Sequence, residues 1–135
     1  MKLLSEKQRR ALLAAAFLLS TSVPSFATCS TARLAGSWTF TRDHVAPKAL
    51  ICNFTFNNQG RSSISYCTSY ANGHEDSHQE LQLKLNVGAD CLLIGRLYDL
   101  TNTPNNWLIT GRTDVQVNNV VGKLQGAGGF TMTRY

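Results

Sequence analysis

His74-Glu75-Asp76-Ser77-His78 spells H-E-x-x-H, the spacing with which helical zinc peptidases hold their metal. On a helix, residues four apart share a face. Two imidazoles then bind one Zn²⁺ while the glutamate activates the bound water. The flanks here do not supply that helix. Asn72-Gly73 reads as a turn, and Gln79-Glu80-Leu81 leads straight into an alternating run. Asp76 and Ser77 stand where a buried helix carries apolar residues. The segment is expected to be a solvated polar loop with no zinc-peptidase site; opportunistic metal binding by its side chains is the second reading. No other group of residues makes an acid, base and nucleophile set. No serine sits in G-x-S-x-G, Asp43-His44 stands alone near a turn, and Glu80, Asp90, Asp99 and Asp114 are scattered. The expectation is a non-enzymatic protein with no cofactor and no metal.

The cysteines carry the other covalent chemistry. Cys29, Cys52, Cys67 and Cys91 are an even set with no C-x-x-C spacing, which points to two disulfides rather than zinc. Three pairings are open. A hairpin turned at Asn58-Gln59-Gly60 would bring Cys52 to Cys67 and leave Cys29 with Cys91. Parity argues against it. Cys52 shares a face with Phe54, whereas Cys67 is out of step with Ile64 and Tyr66, so a bulge would be required.

The start of the chain supplies the oxidising compartment that disulfides need. Lys2, Lys7, Arg9 and Arg10 precede an apolar run from Ala11 to Leu19, and Ser25-Phe26-Ala27 resembles a cleavage site. Residues 1–27 are expected to be a secretory leader carrying a helical segment within 6–19. Residues 28–135 are then a single secreted or periplasmic domain. The chain holds 13 Lys+Arg against 8 Asp+Glu, but four of those cations and one carboxylate lie in the leader, leaving nine against seven. The basic character therefore belongs mostly to the leader, and no nucleic-acid partner is implied. No stretch after Ala27 approaches the roughly 20 apolar residues of a membrane-spanning helix.

Period-2 alternation dominates the rest. Leu81, Leu83, Leu85 and Val87 alternate with Gln82, Lys84 and Asn86; Leu50, Cys52, Phe54 and Phe56 share a face; Trp38 and Phe40 alternate with Ser37, Thr39 and Thr41. Turn residues at 57–60, 88–90, 118–119 and 126–129 separate the runs. Eight strands are predicted, over 37–42, 49–56, 61–67, 79–87, 91–98, 107–115, 120–125 and 129–135, with one long connection from Thr68 to Ser77. An eight-stranded antiparallel up-and-down β-barrel accommodates them without an open edge; a sandwich would need longer crossovers.

Leu34-Ala35-Gly36-Ser37-Trp38 resembles the Gly-x-Trp opening of the calycin barrels, the lipocalins and avidins, and Phe130-Thr131-Met132-Thr133-Arg134-Tyr135 resembles their arginine-bearing last strand. The resemblance implies that Arg134 covers Trp38 at a closed end, since the first and last strands pair when the barrel closes. The chain is shorter than a typical lipocalin and lacks the aromatic cage of the avidins. It is also similar to the small periplasmic inhibitors of bacterial metalloproteases, which are short disulfide-bearing barrels with the same opening.

Three functions follow from these readings. The first is a binding barrel for a small apolar ligand, with Trp107, Tyr66 and Tyr98 as candidate contacts at its mouth. The second is a module that binds a secreted protein, such as a protease inhibitor acting through loops. The third is a structural envelope protein. Inward Trp38, Phe40, Phe54, Phe56, Leu81, Leu83 and Leu85 would leave little internal volume. Interior space is the property that separates the first reading from the second.

Overall fold

The computed structural model describes residues 28–43, 48–101 and 105–135. The expected leader, the helical segment within it, His44 and Pro104 lie outside the described residues. Eight strands follow one 3-10 turn, Thr31–Leu34. They are β1 Gly36–Asp43, β2 Lys48–Phe56, β3 Ser65–Ala71, β4 His74–Val87, β5 Leu92–Asp99, β6 Asn106–Thr113, β7 Asn119–Leu124 and β8 Gly128–Arg134. Each pairs antiparallel with its neighbour, and β8 pairs with β1, so the sheet closes as an up-and-down barrel. Two disulfides brace it, Cys52–Cys67 and Cys29–Cys91.

Alternation assigns each strand an inner and an outer face. Trp38, Phe40, Phe54, Leu83, Leu85, Leu97 and Ile109 point inward and are fully buried. The Phe40 ring stacks on Phe130 at 5.2 Å and meets the edge of Phe54 at 5.9 Å. Three inward glycines let the wall close this tightly. A Cβ on Gly122 would stand 2.8 Å from the Phe130 ring and 2.3 Å from the Thr110 carbonyl oxygen. A Cβ on Gly95 would stand 2.0 Å from the Lys84 carbonyl oxygen. Gly111 pairs directly with Gly122 across β6 and β7. A side chain at Gly95 or Gly111 would press first on the backbone of the neighbouring strand, and one at Gly122 on backbone and the Phe130 ring together.

The region between β2 and β4 departs from the sequence expectation in three ways. The expected turn at 57–60 forms, but residues 61–64 do not open the next strand, which begins only at Ser65. Asn57 holds the turn, its Oδ1 accepting from the Gln59 and Arg61 amides at 3.0 Å each. The buried Ser62 hydroxyl then accepts from the Leu83 amide at 2.8 Å, bonding this segment to β4. Second, the expected long connection from Thr68 to Ser77 does not exist. β3 runs to Ala71 and turns at Asn72-Gly73, both with positive φ, 54° and 80°. That is the two-residue hairpin geometry in which Asn-Gly is favoured. Third, the inward residues of β3 are Ser65, Cys67 and Ser69, while Ile64 and Tyr66 face solvent.

That last inversion removes the parity objection to the disulfide. Cys52 and Cys67 lie inward, buried, and 4.4 Å apart at their Cα atoms. They continue the β2–β3 register one step past Ile51↔Thr68. No bulge is needed between them; the irregularity in β3 falls instead at Ser69/Tyr70, opposite β4.

Candidate functional site

The closed end is built from both ends of the domain. Leu34, on the 3-10 turn, is fully buried beneath the barrel, and its carbonyl oxygen accepts from Trp38 Nε1 at 2.8 Å. Trp38 is paired with Arg134 across β1 and β8, and the guanidinium carbon stands 4.5 Å from the indole centroid. The same guanidinium donates to the carbonyls of Ala35 at 2.7 Å, Val117 at 2.8 Å, and Arg33. Cys29–Cys91 ties the N-terminal segment to the β4–β5 turn, and Thr31 Oγ1 accepts from the Val87 amide at 2.9 Å. Here the side chains of Trp38, Thr31 and Arg134 each bond a backbone group of another segment, and the disulfide adds a covalent tie. This arrangement fastens the first and last strands and both flanking turns at this end.

The opposite end has a polar interior layer. Arg42 and Asp99 are buried at inward positions, with Ser69 on β3. Arg42 Nε donates to the Ala127 carbonyl at 3.0 Å, and burial pushes its pKa below the usual arginine value. Asp99 Oδ1 accepts from the Thr101 amide at 2.9 Å. Trp107 shares the inward parity of Ile109 and is half-buried against the core at this end.

Of the three candidate ligand contacts, Trp107 alone lines this end from the inside. Tyr66 lies on the outer wall, 66% exposed, stacked on His78 with ring centroids 4.9 Å apart. Tyr98 alternates with buried Leu97 and Asp99 and so also faces outward. The three aromatics therefore do not converge on one mouth. Outward parity was hidden in the sequence because Ser65 and Ser69, not the aromatics, take the inward positions of β3.

His74 to His78 begin strand β4 and are exposed, on a strand rather than in the expected loop. A strand advances about 3.3 Å per residue, which sets the two histidines roughly 13 Å apart, against one turn in a helix. They cannot share an ion as an H-E-x-x-H helix does. Among the described residues no group of three or more His, Cys, Asp and Glu is placed to hold a metal. His78 instead contacts Thr68 Oγ1 at 3.4 Å, across the hairpin.

The outer wall divides by chemistry. Outward positions of β8, β1 and β2 are chiefly small and neutral: Thr131, Thr133, Ser37, Thr39, Thr41, Asn53 and Thr55. The β3–β4 hairpin carries Tyr66, Tyr70, Glu75, Asp76 and Glu80. The wall of β5, β6 and β7 carries Leu92, Ile94, Arg96, Leu108, Arg112, Val121 and Lys123, and no carboxylate occupies an outward position there. Leu92, Ile94 and Val121 are 44%, 55% and 58% exposed. Shallow clefts run between these side chains. One of about 520 Å³ is lined by Leu92, Arg112, Val121 and Lys123, and another of about 350 Å³ by Lys84, Ile94, Arg96 and Leu108.

No helix among the described residues is long and apolar enough to cross a membrane. No protein-family model, curated protein or solved structure matches the chain significantly.

Proposed function

We propose that this chain is a non-enzymatic binding barrel of calycin type, exported by residues 1–27 to a secreted or periplasmic site, and that it engages a protein partner with its outer surface. The observation that carries this reading is the filled interior. Phe40 packs on Phe54 and Phe130, Phe54 on Phe56, and all four are buried with Met132 in one core cluster. A small apolar ligand would have to displace several of them, and each large core side chain removed from its packing costs a few kcal/mol. Two disulfides in a domain of this size fit an oxidising extracytoplasmic compartment. The Trp38–Arg134 closure supports the calycin assignment, since it joins the two segments that carry the resemblance.

Binding from outside predicts a protein that purifies without internal cargo. Native mass spectrometry of material recovered from the secreting cell should give the mass of the oxidised domain alone. Titration with palmitate should leave tryptophan fluorescence unchanged. A stoichiometric apolar adduct, or saturable quenching by palmitate, would sink this reading and put the small-ligand barrel in its place.

A further inference from the structure

The outer wall of β5–β7 arranges its side chains in three cross-strand rows. Leu92, Arg112 and Val121 make one; Ile94, Thr110 and Lys123 the next; Lys84, Arg96 and Leu108 the third. Cations and aliphatics are interleaved, not segregated. Lys84 and Arg96 are direct cross-strand partners on the same face. Like charges placed opposite each other weaken a sheet, and no carboxylate stands on an outward position of these three strands to relieve them. Lys84 Nζ donates to the Gln59 carbonyl at 2.9 Å and Arg96 Nη1 to Asn106 Oδ1 at 2.8 Å, neutral acceptors that bond the two charges without neutralising them. Leu92, Ile94 and Val121 are large apolar side chains left in solvent beside it.

We infer that this wall is a docking surface for an acidic segment of a partner protein, one in which carboxylates alternate with aliphatic side chains. The inference rests on the external-binding reading above and names the face and the chemistry. Partner carboxylates would sit between Lys84 and Arg96 and beside Arg112 and Lys123, converting repulsion into complementarity. Partner aliphatics would enter the clefts beside Leu92, Ile94 and Val121. An anionic membrane fits less well. Surfaces that lie on lipid separate an apolar face from a basic one, whereas here the two are mixed within each row and the apolar groups flank clefts instead of projecting. The neutral outward positions of β1 and β2, across the barrel, offer a built-in control surface.

The test uses amide chemical shifts of the oxidised domain. The probe is a soluble peptide alternating Glu and Leu, with its Lys/Leu counterpart and phosphatidylglycerol vesicles as comparisons. The Glu/Leu peptide should shift amides in 92–96, 108–112 and 121–123, with affinity falling as salt rises. Arg112→Glu with Lys123→Glu should weaken it at least about tenfold. Both side chains point outward, so the variant should keep its fold, checked by its spectrum. Thr39→Glu with Thr55→Glu, on β1 and β2 across the barrel from this wall, should leave binding unchanged. Binding by the Lys/Leu peptide equal to that of the Glu/Leu peptide would overturn the inference. So would shifts confined to another face, no shifts at millimolar peptide, or response to vesicles alone. If this wall stays silent while the protein still purifies without cargo, external binding stands and this face is dismissed. Internal cargo would dismiss the broader reading itself.

Discussion

The guanidinium of Arg134 lies over the ring of Trp38, 4.5 Å from its centroid, and bonds three carbonyls from two separate segments. One side chain on the last strand thereby fastens the 3-10 turn and the β6–β7 turn to the first strand. Arg134→Ala should lower stability by about 2–3 kcal/mol, since charge-assisted bonds and the ring contact are lost together. Arg134→Lys should recover little of this, because an ammonium cannot span the three acceptors and does not stack as a plane. Trp38→Ala removes a fully buried ring and should cost about 3–5 kcal/mol. Urea unfolding of the three variants checks the order.

The two disulfides should differ in accessibility. Cys52 and Cys67 are both buried inside the barrel, whereas Cys91 is partly exposed at a turn. Under mild reductant with the fold intact, Cys29–Cys91 should open first. Pulse alkylation followed by mass mapping checks this, and earlier labelling of Cys52 would contradict it. In the chain-entropy model, separations of 15 and 62 residues correspond to about 3 and about 4 kcal/mol. Cys29→Ser with Cys91→Ser should therefore be the more destabilising pair, read as the larger loss in urea midpoint.

Gly122→Ala should destabilise by about 1–3 kcal/mol, as an overpacked core does. Its Cβ would press on both the Phe130 ring and the Thr110 backbone. Gly126→Ala on the nearby turn meets no neighbour within 4 Å but has φ +75°, so its penalty is backbone strain alone. Adding Phe130→Leu should rescue part of the Gly122 defect and none of the Gly126 defect, which thermal unfolding of the double variants would reveal.

Asp114 sets an acid limb. The backbone amide of Asn119 at 2.9 Å, then that of Asn118 at 2.7 Å and the Thr113 hydroxyl, hold its carboxyl below the usual carboxylate range. The folded pKa lies below the unfolded one, so this stabilisation is complete above about pH 4 and is lost as pH falls through the folded value. Solvent exposure keeps the effect small. Asp114→Ala should melt earlier than the parent at neutral pH, and the gap in Tm should narrow as pH falls below the ordinary carboxylate range and the carboxyl takes up its proton.

Strand content and the closed barrel were legible wherever one face is buried and the other wet. Leu81 to Val87 is the clearest case, because every second residue is apolar and each is buried in the fold. The meeting of Trp38 and Arg134 was implied by the resemblance of the two chain ends to calycin barrels, and the β1–β8 register sets them opposite each other. The Asn72-Gly73 turn was legible, but the strand that follows it was not. His74 to His78 has no apolar alternation and is held in a strand by pairing with β3, which the hydrophobic pattern does not mark. The inward parity of Ser65, Cys67 and Ser69 was equally hidden, since composition favours Ile64 and Tyr66 for the core. Only the folded barrel brings the β3 serines inside beside the Cys52–Cys67 bridge. The candidate docking wall belongs to the same class. Its residues are spread over four strands, and each reads as an ordinary solvent position in its own strand. The register between strands sets Lys84 against Arg96 and gathers aliphatics and cations on one face. Alternation states that a side chain points out; register alone states which other side chains it meets there.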